Sequence, residues 1–194
     1  MFSEKWKSAI LTVPNLLSVF RILLIPVYML VYLNATGRPH YLLAGSILAL
    51  SCMTDLVDGI IARRYGQITN LGKILDPLAD KLTQLSLLFS LSQKYSLLYS
   101  VLGLFLAKEL FQFGALLFFV QRGKVLTGAL FAGKICTTVL FVSLIFLVLF
   151  PGISPKAVLF LTYLDAGFLL YSFFSYLCAY LGKCNCLTDW NQTA

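Results

Sequence analysis

The stretch that decides the fold reads Asp55-Leu56-Val57-Asp58-Gly59-Ile60-Ile61-Ala62-Arg63-Arg64-Tyr65-Gly66-Gln67-Ile68-Thr69-Asn70-Leu71-Gly72-Lys73-Ile74-Leu75-Asp76-Pro77-Leu78-Ala79-Asp80. Asp55 and Asp58 stand at i and i+3, and Asp76 and Asp80 at i and i+4, so each pair shares one face of a helix. The segment between them, residues 64–71, is short and makes the two helices antiparallel neighbours. Asp55 lies about eight residues before that turn and Asp80 about eight after it, which at roughly 1.5 Å of rise per residue puts both roughly 12 Å from the turn. Asp58 and Asp76 match one turn nearer to it. The spacing predicts four carboxylates at two matched depths on facing helices.

Both flanks of this hairpin are oily. The 194 residues are 59% hydrophobic and only 12% charged, about half the charge of an ordinary soluble domain. Six apolar segments, approximately 14–33, 41–62, 72–93, 97–120, 129–150 and 157–181, each have the roughly 20 residues an α-helix needs to cross hydrocarbon. Long continuous runs favour helices over barrel strands. The predicted fold is an all-α integral membrane protein, a bundle of six transmembrane helices over residues 14–182. Ahead of it, residues 1–13 carry Trp6, Ile10 and Leu11 against Lys5 and Lys7, an amphipathic stretch suited to the interface. Residues 183–194 form a tail. No cleavable signal peptide is expected, because the first apolar run is followed by further spans.

Lysine and arginine placement sets the orientation. Lys5, Lys7, Arg63, Arg64, Lys73, Arg122, Lys124 and Lys183 fall on one side, against Arg38, Lys94 and Lys156 on the other. Both termini and the 64–71 turn are thereby expected in the cytoplasm. The net charge of +7 fits loops facing anionic lipid. Aromatic and basic residues do not alternate as a nucleic-acid groove requires, so that class is excluded. Among the five cysteines, Cys184-x-Cys186 lacks the second pair a zinc site needs, and reduced thiols are expected.

Only eight residues are acidic, and Asp55, Asp58, Asp76, Asp80, Glu109 and Asp165 all fall within predicted spans. Charge at a span's centre costs about 2.5–3.5 kcal/mol per residue on insertion scales. Four neighbouring carboxylates repel one another unless cations neutralise them. Oxygen-only donors suit hard divalent ions, and four of them suit two Mg²⁺ or Mn²⁺ ions, an arrangement matched to in-line displacement at phosphorus. Between the pairs, Gly59 and Ala62 leave room beside the backbone, and Arg63 can grip a phosphate bidentately. Pro77 is expected near its helix start, where a missing N–H costs little. A plainer reading makes the aspartates interhelical ion pairs with Arg63, Arg64, Lys73 and Lys81. Another makes the chain a divalent-cation carrier, but carriers favour inverted repeats and a midplane site, whereas these acids cluster near one face.

Written as a pattern, the stretch is Asp55-x2-Asp58-Gly59-x2-Ala62-Arg63-x8-Gly72-x3-Asp76-x3-Asp80. It resembles the signature of the CDP-alcohol phosphotransferases at every fixed position. The likeness extends to Pro14-Asn15-x2-Ser18-x2-Arg21-x4-Pro26 in the first span and to Gly133-Lys134 in the fifth. The resemblance implies a homodimer of six-helix subunits with a cytoplasmic polar cavity. Asp55, Asp58, Asp76 and Asp80 would hold the metals, and Asp80 would be general base. Asp58, Gly59, Ala62, Arg63 and Gly72 would bind the cytidine diphosphate of CDP-diacylglycerol, the phosphatidyl group would pass to an alcohol, and CMP would leave. The run from Leu71 to Lys81 looks most like bacterial phosphatidylglycerophosphate synthases and the related cardiolipin synthases, and Gly133-Lys134 followed by Thr137 resembles the former, which use glycerol 3-phosphate; phosphatidylglycerol or another alcohol is the alternative acceptor. Lys108, Lys134 and Arg21 are the acceptor-side candidates. Two departures weaken a phosphorylated acceptor: Lys108 stands where that family usually has arginine, and apolar Leu116 stands near where the family has a further arginine.

Arg21 shares a face with Asn15 and Ser18 at i, i+3 and i+6, and either lines the cavity or caps a carboxylate. Glu109 either orients Lys108 or forms a buried pair with it. Asp165 has no local cation and either joins the acceptor site or makes an interhelical hydrogen bond. His40 is expected in solvent, and the Asn191-Gln192-Thr193 sequon is accidental in a cytoplasmic tail.

Overall fold

The structure, a computed structural model, describes residues 12–64, 72–121, 124–126, 130–180 and 187–189. Among them are six helices: α1 (Val13–Leu33), α2 (Arg38–Arg64), α3 (Gly72–Lys94), α4 (Leu98–Gln121), α5 (Leu130–Leu149) and α6 (Pro155–Tyr180). These coincide with the six apolar runs to within a few residues. Two three-residue strands, β1 (Lys124–Leu126) and β2 (Leu187–Asp189), pair antiparallel with Val125 opposite Thr188. The predicted interfacial segment falls outside the described residues except for Thr12, as do Cys184 and Cys186. The chain divides into two compact units, Met1–Ser90 with Val148–Pro151, and Leu91–Leu147 with Gly152–Ala194.

In the first unit α1 is inside out. Its buried face begins with Asn15, Ser18 and Arg21 and continues with Tyr28 and Tyr32. The opposite ridge of Leu16, Leu23 and Leu30 is 62, 62 and 65% exposed. A helix in water would reverse that pattern; a helix whose outer solvent is hydrocarbon has no reason to hide leucine. The helix starts beside Pro14, where a proline's missing N–H costs little, and ends where the backbone and side-chain amides of Asn34 both donate to the Leu30 carbonyl. On α2 the buried positions Ala44, Leu48, Ser51 and Asp58 follow one face, and Gly45 lets Leu149 approach to where a β-carbon would sit 2.7 Å away. On α3 the buried Ala79, Thr83, Ser86 and Ser90 do the same. Two of these hydroxyls turn back on their own helix: Thr83 donates to the Ala79 carbonyl and Ser86 to that of Thr83. That keeps polar side chains satisfied where water is absent.

Pro77 corrects one expectation. The helix begins at Gly72, so this proline lies inside α3 rather than at its start. It cannot donate to the Lys73 carbonyl and frees that oxygen within the site-bearing turn.

In the second unit α6 begins on Pro155, with the Ser154 carbonyl accepting from the amides of Ala157 and Val158. Phe111 of α4 meets Phe173 of α6 at 4.9 Å between ring centres. Gly133 admits Tyr176 so closely that a β-carbon there would lie 2.7 Å from its hydroxyl. Ser143 of α5 donates to Asp165 Oδ2 of α6 at 2.6 Å, while Asp165 Oδ1 is buried and has no partner among the described residues.

Two helices are long and apolar enough to span a bilayer, over Asn15–Leu33 and Pro155–Cys178, and less than a third of each is buried. A core helix of a soluble domain would be mostly covered. The shorter apolar run Gly133–Leu149 follows in α5. α2 and α3 carry the aspartates, lysines and arginines that lower their hydropathy. The chain is a helical, membrane-associated protein.

Candidate active site

Facing placement of the two carboxylate pairs needs α2 and α3 to present those faces to a common point, and a side chain of α1 occupies it. The Arg21 guanidinium places Nη2 at 2.6 Å from Asp55 Oδ1 and 2.7 Å from Asp58 Oδ2, and Nη1 at 2.6 Å from Asp80 Oδ1. One turn earlier on the same face, Ser18 Oγ donates to Asp76 Oδ1. Helix α1 thus supplies a donor to all four aspartates. The i, i+3 spacing of Ser18 and Arg21 matches the one-turn stagger of the pairs across from it.

Burial is uneven. Arg21 is 2% exposed and Asp58 5%, whereas Asp55 is 45% and Asp80 53% exposed. The Arg21–Asp58 contact is therefore the buried ion pair, of the kind whose disruption costs about 3–5 kcal/mol. The contacts to Asp55 and Asp80 are weakened by water. Arg21 Nε is buried with no partner among the described residues. The Arg21 guanidinium faces three carboxylates directly, and Ser18 holds Asp76 one turn away.

The other sequence-predicted residues stand as follows. Gly72 opens α3 and is buried. Gly59, Ala62 and Arg63 belong to α2 by their backbone, and their side chains lie outside the described residues. In the second unit Lys108, 2% exposed, is bonded through Nζ to Glu109 Oε1 at 2.8 Å. Lys134 is exposed, and its carbonyl accepts from the Thr137 and Thr138 hydroxyls. Of the two roles open to Arg21 in the sequence, the contacts are those of a carboxylate cap. The plainer reading paired the aspartates with Arg63, Arg64, Lys73 and Lys81; the side chains of Arg63 and Lys73 lie outside the described residues, and Arg21 of α1 is a cation described among the carboxylates. Its signal in the sequence was a lone arginine inside a span, one turn after a serine.

The donor set fits a divalent metal by its chemistry: four carboxylates, oxygen only, two of them half exposed. Among the described residues no group of three acids already converges on one point at metal-ligand spacing; they converge on the guanidinium. Two oxygens that share one nitrogen need only a small side-chain rotation to share one cation.

The family model described as CDP-alcohol phosphatidyltransferase matches residues 11–174. A CDP-diacylglycerol–glycerol-3-phosphate 3-phosphatidyltransferase of Shigella flexneri is 33% identical over 172 residues, 86% of this chain and 93% of its own. The protein of that name in Escherichia coli matches to the same extent. A protein of Mycobacterium tuberculosis described as a probable phosphatidylglycerophosphate synthase is 33% identical over 135 residues, 69% of this chain and 64% of its own.

Proposed function

The chain belongs to the CDP-alcohol phosphatidyltransferase family, and from that premise we propose that it transfers a phosphatidyl group from CDP-diacylglycerol to glycerol 3-phosphate, giving phosphatidylglycerophosphate and CMP. The observation that carries the reading is the gathering of four carboxylates by α1 on the α2–α3 hairpin, within a sequence one third identical to proteins named for this reaction.

The acceptor hydroxyl attacks the phosphorus that bears diacylglycerol, the bond from that phosphorus to the CMP oxygen breaks, and CMP departs with the electron pair. Asp80 takes the hydroxyl proton. Its side chain is 53% exposed, so an acceptor hydroxyl can reach it and hand over its proton. Family members are in general divalent-metal dependent. Asp55, Asp58, Asp76 and Asp80 would hold two such ions, Mg²⁺ or Mn²⁺, which supply charge neutralisation at the phosphoryl oxygens. Asp58, Gly59, Ala62, Arg63 and Gly72 bind the cytidine diphosphate, Arg63 through the two-pronged grip its guanidinium allows. Lys108 and Lys134 serve the acceptor phosphate. Glu109, bonded to Lys108, orients that ammonium group.

Topology follows from the same reading. All six helices span the bilayer as one domain over residues 14–182, residues 1–13 lie in the interface, and both termini and the active site face the cytoplasm. The working form is a homodimer.

Purified protein given Mg²⁺ or Mn²⁺, CDP-diacylglycerol and glycerol 3-phosphate is expected to release CMP, to stop on chelation and to resume when the metal is restored. Phosphatidylglycerol, inositol phosphate and serine, run in parallel, identify the acceptor. No CMP with any of the four ends the enzyme reading; CMP with phosphatidylglycerol alone makes the chain a cardiolipin synthase.

A further inference from the structure

We infer that Arg21 is the resident counter-cation of the carboxylate cluster, holding Asp55, Asp58 and Asp80 together in the metal-free protein and yielding their oxygens when divalent ions bind. The inference rests on the proposed metal role of the aspartates and adds a competitor to it.

Three features of Arg21 point this way. First, its nitrogens lie 2.6–2.7 Å from the very oxygens that a metal would take, on both helices of the hairpin. A divalent ion on the same oxygens would bring two cations close together, and their repulsion weakens the guanidinium's hold on those oxygens. Second, the engagement is incomplete. Nε is buried without a partner among the described residues, and a buried unpaired N–H is a cost that a permanent structural arginine would avoid. Third, Asp55 and Asp80 are 45 and 53% exposed, so an ion arriving from solution can reach the oxygens that Arg21 holds. Residence in the first helix separates this cation from the hairpin, so α2 and α3 can keep their facing geometry while Arg21 withdraws.

The opposite role makes an opposite prediction. An arginine that only steadies the carboxylates for the metal would weaken metal binding when removed; a competitor strengthens it.

The full-length protein in detergent is titrated with Mn²⁺, the unbound ion being followed by its electron paramagnetic resonance signal. Arg21→Gln is expected to bind Mn²⁺ more tightly, on the order of ten-fold, since a positive neighbour has been removed. In the same variant the metal-free thermal midpoint falls, and Mn²⁺ raises it by more than in the parent. Equal or weaker Mn²⁺ binding by folded Arg21→Gln overturns the inference and leaves the metal reading intact. A parent protein that binds no Mn²⁺ overturns both. Should Arg21→Gln fail to fold at any metal concentration, Arg21→Lys decides. It keeps the charge but loses the fork that spans two helices, so tighter binding supports the competition and weaker binding refutes it.

Discussion

Replacing Ser143 and Asp165 one at a time should have opposite consequences. Ser143 Oγ donates to Asp165 Oδ2 at 2.6 Å, both residues are buried, and Asp165 Oδ1 has no partner among the described residues. Ser143→Ala removes the one donor the structure gives this carboxyl and leaves the whole group stranded, which costs about 1–3 kcal/mol for a buried polar group. Asp165→Leu instead removes the stranded group and fills its space with hydrocarbon. Ser143 loses little, because its hydroxyl also reaches the Leu140 carbonyl at 2.9 Å. That substitution should be neutral or slightly stabilising. At about 2–4 °C per kcal/mol for a chain of this size, thermal unfolding in detergent micelles should show Ser143→Ala several degrees below the parent. Asp165→Leu, and the double variant, should lie at or above it. A loss in Asp165→Leu equal to that in Ser143→Ala would refute the reasoning, since Oδ1 would then have a partner of real worth. CMP release measured on the same samples separates structure from function: a folded Asp165→Leu protein without activity would place this carboxyl in the acceptor site.

Two further outcomes are expected. Asp80→Asn keeps an oxygen for Arg21 but cannot take a proton; CMP release should fall by about 10²–10⁴-fold while CDP-diacylglycerol binding, followed by equilibrium partitioning, persists, and retained turnover would end the base assignment. Gly133→Ala places a β-carbon 2.7 Å from the Tyr176 hydroxyl and 3.3 Å from Cε2, so its thermal midpoint should drop by an amount equivalent to about 1–3 kcal/mol, and adding Tyr176→Phe should recover part of it; no recovery would mean the clash lies elsewhere.

The helices were legible because length and continuity of apolar runs are properties of the chain itself. The hairpin was legible because i, i+3 and i, i+4 spacings fix helix faces before any tertiary contact exists. What the sequence left open was partnership. Arg21 lies 34 residues before Asp55, and nothing local distinguishes a cation that caps a carboxylate from one that lines a cavity. The hairpin's own arginines and lysines are nearer in sequence, and a guanidinium that reaches three of the aspartates comes from another helix. The β1–β2 pair escaped for a related reason: its two segments lie some 60 residues apart and are three residues each, too short for any alternation to register. Pro77 was read from the dipeptide alone, and the helix proved to start a turn earlier.

The position of Arg21 and Ser18 in the first helix bears on how the protein is made. Synthesis delivers α1 before α2 and α3 exist, so a cation and a hydroxyl are already waiting when the four aspartates leave the ribosome. The most acidic part of the chain thereby emerges to a ready counterpart, and the order of helices in the gene doubles as an order of assembly.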